Sequence, residues 1–528
     1  MAAIDYVIVI CYLGLMLGLG VVFRHQEDKK DFFLAGRQLS WPAIALSVMA
    51  TQLSAISFIS APAFVGIRDG GGLIWLSYEF AIPLAMLLLL WLVLPSLHAS
   101  GVVSIYDFLE QRFNRFTRLL ISFVFQISRS FATAIMIYAI SIVLQSTMGL
   151  PFWLSILSIG VITLIYSAVG GMKAVVIGDA IQMGLIVVGA ALCLWFALNS
   201  LGGWHVIVEN TPSERLSTLN WSGIGLDGND FGFLPMLFGG LVLYMSYYGC
   251  DQSEAQRSLA SKDIKDLRKI LVTVGLARFP ITLLYCFSGL AIGALFHIQP
   301  DFAAQIPEGK NDWLVPIFII NYLPNGIIGI LVVAMMAAAM SSLSSAINSL
   351  SAVTVEDIAR LTNSLKNGAE ATSENAEDYV HRARLAGVFW GLVTLTLASY
   401  AGDIAPTVIE AVNKIGSVFY GPILAIFLLG ILTKRIGASA ASIGLIIGVG
   451  TNVSLWLTDS PIFWFWWNVI GLASTLLSAF LVHSISKRET KTHDNYFLNG
   501  VNTASCITLL LWFAFVVFVV VFLPTMLF

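Results

Sequence analysis

Runs of about 20 apolar residues, the length that crosses a bilayer's hydrocarbon core as a helix, recur from one end of this chain to the other. They fall at residues 4–23, 43–66, 73–97, 117–146, 152–169, 176–200, 232–250, 270–296, 324–350, 385–401, 405–432, 437–457, 463–486 and 502–527. Fourteen such spans leave no room for a water-soluble domain in 528 residues. Composition agrees, with 58% hydrophobic and 11% charged residues, where soluble domains carry about 25% charged. In lipid every backbone polar group needs an internal partner, so the spans predict an all-α integral membrane protein. The first span does not read as a cleaved leader: it begins with Asp5, lacks a basic flank and runs on into further spans.

The placement of charge predicts an orientation. With the N-terminus outside, 22 of the 28 Lys and Arg fall in inner loops, while only Arg68, Arg215 and Lys310 fall in outer ones. The other three, Arg129, Arg278 and Lys414, lie within spans. This asymmetry obeys the positive-inside rule and puts both termini outside; a span missed or added would invert every later loop. The longest polar stretches are 201–231, outer, and 351–384, inner, with Asn363 to Asp378 of the latter expected to be mobile. The five cysteines all fall within spans and offer neither a disulfide framework nor a metal motif.

Two spans are interrupted by small and polar residues. The second reads Ala50-Thr-Gln-Leu-Ser-Ala-Ile-Ser57, and the seventh ends Tyr247-Tyr-Gly-Cys-Asp-Gln252. With the first span set aside as peripheral, these are helices one and six of a ten-helix core. Two five-helix halves, each opening with a broken helix and inserted in opposite senses, describe an inverted-repeat transporter. A break in lipid frees backbone carbonyls, tolerated only where they line a cavity or bind something. The halves share no clear residue-level similarity, so the repeat rests on topology.

The ninth span carries Ala338, Ser341, Ser342 and Ser345 at i, i+3, i+4 and i+7, a single helical stripe. Hydroxyl oxygens at membrane depth suit a dehydrated alkali cation, although the same pattern also lines ordinary helix–helix contacts. Glu79, Arg129, Asp179, Arg278, Lys414 and Glu410 lie at or near that depth, each at a cost of about 2.5–3.5 kcal/mol at a helix centre. At least two of them are expected to touch a transported species. A His/Cys metal set, a phosphate-cradling loop and a nucleophile motif are all missing from the sequence, which argues against an enzyme.

Several motifs in order carry a resemblance to a known family. They are Asp31-Phe-Phe-Leu-Ala-Gly-Arg-Gln-Leu-Ser-Trp41, Tyr166-Ser-Ala-Val-Gly-Gly-Met-Lys-Ala-Val175 with Asp179-Ala-Ile-Gln182, Gln256-Arg257, and the Ala/Ser stripe ending Asn348-Ser349. Over essentially its whole length the chain resembles the sodium:solute symporter family, whose members include bacterial sodium/galactose and sodium/sialic acid cotransporters. The resemblance implies a LeuT-type 5+5 inverted repeat: a leading helix and inner loop at 1–40, a ten-helix core at 41–435, and three peripheral helices at 436–528.

It also implies sites. The principal sodium site would use backbone carbonyls of Ala50, Leu53 and Ala338 with the hydroxyls of Ser341 and Ser342. A second sodium would lie among Asp179, Ser341, Ser344 and Ser345, which favours two Na⁺ per cycle. The residues matching the solute cavity are Gln52, Ser54, Ser57, Glu79, Arg129, Arg278 and Asn413. Where the galactose carrier has a long amide or acid pair after the break, this chain has Ile56 and Ser57, removing hydrogen bonds a polyol wants. Arg129 resembles the arginine that clasps a sialic acid carboxylate; its alternative partner is Glu79 or a backbone carbonyl. The expectation is Na⁺-driven import of a small organic solute bearing a carboxylate (a sialic acid, sugar acid or monocarboxylate). A sugar or inositol carrier and a proton-coupled carrier of the same fold stand as alternatives. The expected setting is a plasma membrane, bacterial inner membrane by preference, with lipid, Na⁺ and solute as partners and neither nucleic acid nor an obligatory protein partner.

Overall fold

The computed structural model describes every residue except 25–28, 103, 229–230, 366–375, 402–403, 487–496 and 528. The described residues form helices and no strand, as the apolar runs require. Helix α1 (Ala3–Val22) precedes a helix broken in two, α2 (Trp41–Gln52) and α3 (Ala55–Gly66), bent by 52°. Then follow α4 (Ala81–Leu92), α5 (Arg115–Met148) and α6 (Phe152–Leu201). A second break separates α7 (Gly240–Cys250) from α8 (Gln252–Leu259). The chain continues through α9 (Ile264–Ile298), α10 (Ile327–Leu365), α11 (Ala376–Ala398), α12 (Val408–Leu432), α13 (Ala438–Leu457), α14 (Trp464–Ser486) and α15 (Thr503–Leu527).

Among the described residues ten helices are long and apolar enough to cross a membrane, or eleven with the bent pair taken as one span. The protein is multi-pass. The expected spans at 152–169 and 176–200 merge into α6, which is nevertheless interrupted at Gly171 (φ 58°, ψ −159°), a backbone conformation that glycine adopts without strain. Helix α10 runs on to Leu365, so the first part of the stretch expected as a polar loop at 351–384 is helical. Ala352, Val353 and Val355, at the start of that extension, are buried. Most of the stretch expected to be mobile, Asn363 to Asp378, lies outside the described residues.

Helices α2, α6, α8 and α10 meet in the middle of the molecule. The leading helix, set aside as peripheral on sequence, packs on α6 and α10. Its buried Asp5 accepts the N–H groups of Gly326 at 2.7 Å and Gly329 at 2.8 Å, at the start of α10, where a helix leaves its first donors without partners. The approach is close enough that a Cβ at Gly329 would lie 2.7 Å from the Asp5 Cα.

Candidate sodium and solute sites

Helix α2 stops at Gln52 because Leu53 leaves helical geometry (φ −80°, ψ 67°) and Ser54 opens α3 in extended form, its Oγ accepting the Ile56 N–H at 3.2 Å. A helix leaves its last carbonyls without intrahelical donors. The Leu53 N–H takes the Met49 carbonyl at 2.8 Å, which leaves those of Ala50, Thr51 and Gln52 beyond the last helical donor. Opposite this end, α10 presents Ala338, Ser341 and Ser342, all fully buried. The Ser342 hydroxyl donates to the Thr51 carbonyl at 2.8 Å and lies 3.4 Å from that of Ala338. It ties α10 to the end of α2 at the Thr51 carbonyl, which is outside the expected ligand set.

Ser341 turns instead to the neighbouring cluster and donates to Asp179 Oδ1 at 2.7 Å. Asp179, on α6, is fully buried; its Oδ2 receives the Ser47 hydroxyl at 2.5 Å and Arg257 Nη2 at 3.2 Å. Arg257 Nε donates to Ser47 Oγ at 2.8 Å, and the guanidinium also donates to Ser345 Oγ and to the Ser253 carbonyl. Ser345 Oγ lies 3.0 Å from Thr51 Oγ1 and donates to the Ser341 carbonyl at 2.6 Å. The Ser344 hydroxyl also donates to the Ser341 carbonyl, at 3.0 Å, and so points back along its own helix. Arg257, counted on sequence as an inner-loop cation, is 1% exposed.

Beside the first break opens a small cavity of about 70 Å³. Six of the seven expected solute residues line it: Gln52, Ser54, Ser57, Arg129, Arg278 and Asn413. Glu79 does not; it sits behind, its Oε2 3.6 Å from Arg278 Nε. Glu79 is thus the partner of Arg278. Arg129 has Asp251, at the second break, with Nη1 3.5 Å from Oδ2.

The rest of the wall is aromatic and aliphatic, including Trp75, Tyr78, Tyr244, Tyr247 and Tyr420. Tyr78 and Tyr244 stack with centroids 4.5 Å apart, and the Arg129 guanidinium lies 5.9 Å from the Tyr247 ring centre. Part of the polar lining is committed: Gln52 Oε1 accepts the Tyr248 hydroxyl, and Asn413 Nδ2 donates to the Ile409 carbonyl at 2.7 Å. In contrast, all three guanidinium nitrogens of Arg129, and Nε and Nη1 of Arg278, are buried with no hydrogen-bond acceptor among the described residues.

At one end of the molecule Arg68 holds Glu410 at 2.7 and 3.3 Å and lies 5.1 Å over the Phe231 ring. Nearby the N-terminus of α12 is capped twice: Asp312 Oδ2 accepts the Val408 N–H at 3.0 Å and Ser60 Oγ accepts that of Ile409 at 3.0 Å. Burial pushes the Asp312 carboxyl up to about 6.

Sequence reasoning missed Ser47, Thr51, Arg257 and the aromatic wall. Ser47, Thr51 and Ser54 stand at i, i+4 and i+7 across the break, a signal as regular as the one read on α10.

The model of the sodium:solute symporter family matches residues 32–448, and the chain belongs to that family. It is 28% identical over 460 residues to human sodium-coupled monocarboxylate transporter 1, covering 86% of this chain and 73% of that protein. It is 26% identical over 497 residues to the sodium/sialic acid symporter NanT of Aliivibrio fischeri, covering 93% and 95%. Among solved structures it superposes with a TM-score of 0.81 on a Na⁺-coupled sialic acid symporter in a substrate-bound outward-open state, at 25% identity over 94% of this chain and 99% of that one.

Proposed function

We propose that this protein is a sodium-coupled symporter importing a small monocarboxylate with an apolar body. The observation that carries the reading is the contrast inside the cavity. Its guanidinium N–H groups lack hydrogen-bond acceptors among the described residues, while Gln52 Oε1 and Asn413 Nδ2 are already bonded. An arginine fork matches a carboxylate in charge and shape. A polyol would desolvate several hydroxyls against Trp75, Tyr78, Tyr244 and Tyr420 and find few partners, a costly burial.

Ala50, Leu53, Ala338, Ser341 and Ser342 are proposed as the principal Na⁺ ligands. The meeting of Ser342 with the end of α2 supports this, and five neutral oxygens hold the ion weakly enough to release it each cycle. Asp179, Ser341 and Ser345, with Ser344 beside them, form the proposed second Na⁺ site. Gln52, Ser54, Ser57, Arg129, Arg278 and Asn413 surround the solute, with Glu79 balancing Arg278. Each charge moved inward gains about 2.3 kcal/mol per 100 mV; two Na⁺ with one monoanion carry one net charge.

The proposed topology has fourteen spans with both termini outside, in a bacterial inner membrane, supported by the charge asymmetry of the loops and the full-length match to a bacterial symporter. This orientation makes the Arg68–Glu410 end outer.

The test is purified protein in vesicles with an inward Na⁺ gradient. Aromatic or branched monocarboxylates are expected to accumulate, and their amides, galactose and inositol are not. Accumulation of sugars instead, or uptake in Na⁺-free buffer that follows a proton gradient, overturns the reading in favour of a sugar or proton-coupled carrier.

A further inference from the structure

Helix α6 is not one rod. Gly171, at φ 58° and ψ −159°, interrupts it, and Asp179 stands on the half that follows. Main-chain geometry alone therefore does not fix how that half is turned about its own axis. A binding site needs its groups held within about 0.5 Å of their working places. Something outside α6 has to supply that hold.

Helix α1 lies across the interruption. Before Gly171 it touches Tyr166 so closely that a Cβ at Gly20 would lie 2.8 Å from the Tyr166 Cα. Beyond Gly171 it packs on Gly178, where an added Cβ would lie 3.0 Å from the Met16 Cε. Small residues let helices in lipid approach in this way. One turn further, Gln182 Nε2 donates to the Tyr12 hydroxyl oxygen at 2.9 Å and lies 3.8 Å from Met16 Sδ. Tyr12, Met16 and Gln182 are all buried. Gln182 follows Asp179 by three residues, so the two share one side of the helix. Its amide also meets the Tyr166 phenol, which donates at 3.4 Å to the carbonyl of Met340, next to Ser341. Contacts thus run from α1 to both halves of α6 and on to the hydroxyl stripe of α10.

We propose that Tyr12 is a positioning residue for the second sodium ion. Helix α1 splints α6 across Gly171, and the Tyr12–Gln182 bond sets the turn of the later half at which Asp179 faces the Ser341 hydroxyl. Without that bond the half rolls, Asp179 drifts from Ser341, and the second ion loses its ligand geometry. The principal sodium site takes no ligand from α6 and keeps its own. The solute cavity, which Tyr12 does not line, is likewise left in place. The leading helix thereby becomes part of the ion-binding apparatus. The inference rests on the two-ion reading given under the proposed function.

The full-length protein supplies the test, in vesicles with a solute whose uptake depends on Na⁺. Bound ²²Na⁺ on native protein in detergent should count two per chain; a count of one sinks the two-ion reading itself, a result distinct from those that follow. Tyr12→Phe keeps the ring and removes the oxygen. Half-saturating Na⁺ should rise about fivefold, the effect of one net hydrogen bond. The Hill coefficient should fall from near two toward one, with solute half-saturation at saturating Na⁺ unchanged. Gln182→Leu should act in the same direction, and the double variant should be no worse than Gln182→Leu alone, because the shared bond is lost only once. Should Gln182→Leu fail to fold, Gln182→Met keeps the length without the donor and takes its place. Tyr6→Phe, on the exposed side of α1, should leave the Na⁺ curve as it is. A Tyr12→Phe protein with the native Na⁺ curve, a parallel rise in the solute requirement, or effects that multiply in the double variant overturns the positioning role.

Discussion

Between α2 and α3 the chain breaks on backbone carbonyls and hydroxyls alone, whereas between α7 and α8 it breaks on a carboxylate. Asp251 caps α8 through its Oδ1, which accepts the Ser253 N–H at 2.8 Å, and offers Oδ2 to Arg129. The ties that hold the two free halves differ as well. Helix α3 ends beside the Arg68–Glu410 pair, whose side chains are 15% and 4% exposed, while α8 is held by Arg257 and Asp179 at 2% and 0%. Neutral oxygens at the first break hold a cation loosely and cost little when it leaves. Charges at the second cannot be left alone, because a buried charge stripped of its partner costs several kcal/mol. A pair near water gives way easily; a dry one gives way only when another charge replaces it. The first break is thus suited to binding and the second to gating.

The largest expected effect comes from stranding a charge at the second break. Arg129→Ala leaves Asp251 unpaired, at about 3–5 kcal/mol, and should cut uptake by at least about 100-fold. Arg129→Lys restores the charge but not the fork and should recover part of the rate. If the alanine variant transports normally, the division drawn between the two breaks fails.

A second effect belongs to the end of the molecule where α3 meets α12. Asp312, pushed up to about 6 by burial, binds its proton more tightly in the folded protein than in the unfolded chain. Its contribution is therefore fully present below about pH 4 and lost as pH rises through about 6, amounting to about 3 kcal/mol at most. The melting temperature in detergent should fall between pH 5 and pH 7 by more in the native protein than in Asp312→Asn. Equal slopes would mean that the carboxyl titrates normally.

At the first break, Ser342→Ala removes one neutral oxygen, about 1 kcal/mol, and should raise half-saturating Na⁺ about fivefold while leaving the maximal rate in place. An unchanged Na⁺ curve would move the ion elsewhere. The smallest effect is expected from Ser344→Ala, whose hydroxyl is spent on its own helix; the Na⁺ requirement should shift less than about twofold, the scale of a few tenths of a kcal/mol. A larger shift would show that this hydroxyl rotates to meet the second ion.

Both breaks were legible because a span in lipid has no reason to read Thr-Gln-Leu-Ser or Gly-Cys-Asp-Gln unless its backbone is used. The α10 stripe was legible by its spacing, although spacing alone did not separate ion binding from packing. The two cavity arginines stood out by the cost of placing them in lipid. What stayed hidden was pairing. Sequence offered Glu79 to Arg129, and only the packing of the chain in space sorts Glu79 to Arg278 and Asp251 to Arg129. Arg257 was hidden for a related reason: Gln252–Leu259 is polar enough to pass for a loop, and nothing local says that neighbouring helices bury it. The extension of α10 past residue 350 was missed because a polar helix face looks like a loop when its apolar face is short.

The grip of Asp5 on Gly326 and Gly329 bears on how this carrier can be handled. The same carboxylate also accepts the Ala2 N–H at 2.7 Å, so residues 2–5 are folded against the helix that bears the whole hydroxyl stripe. Trimming through Asp5 would strip two amide protons at the head of that helix of their acceptor. Fraying would begin one end away from the ion, and an assay of such a truncated protein would report weak sodium binding for a reason unrelated to any ligand.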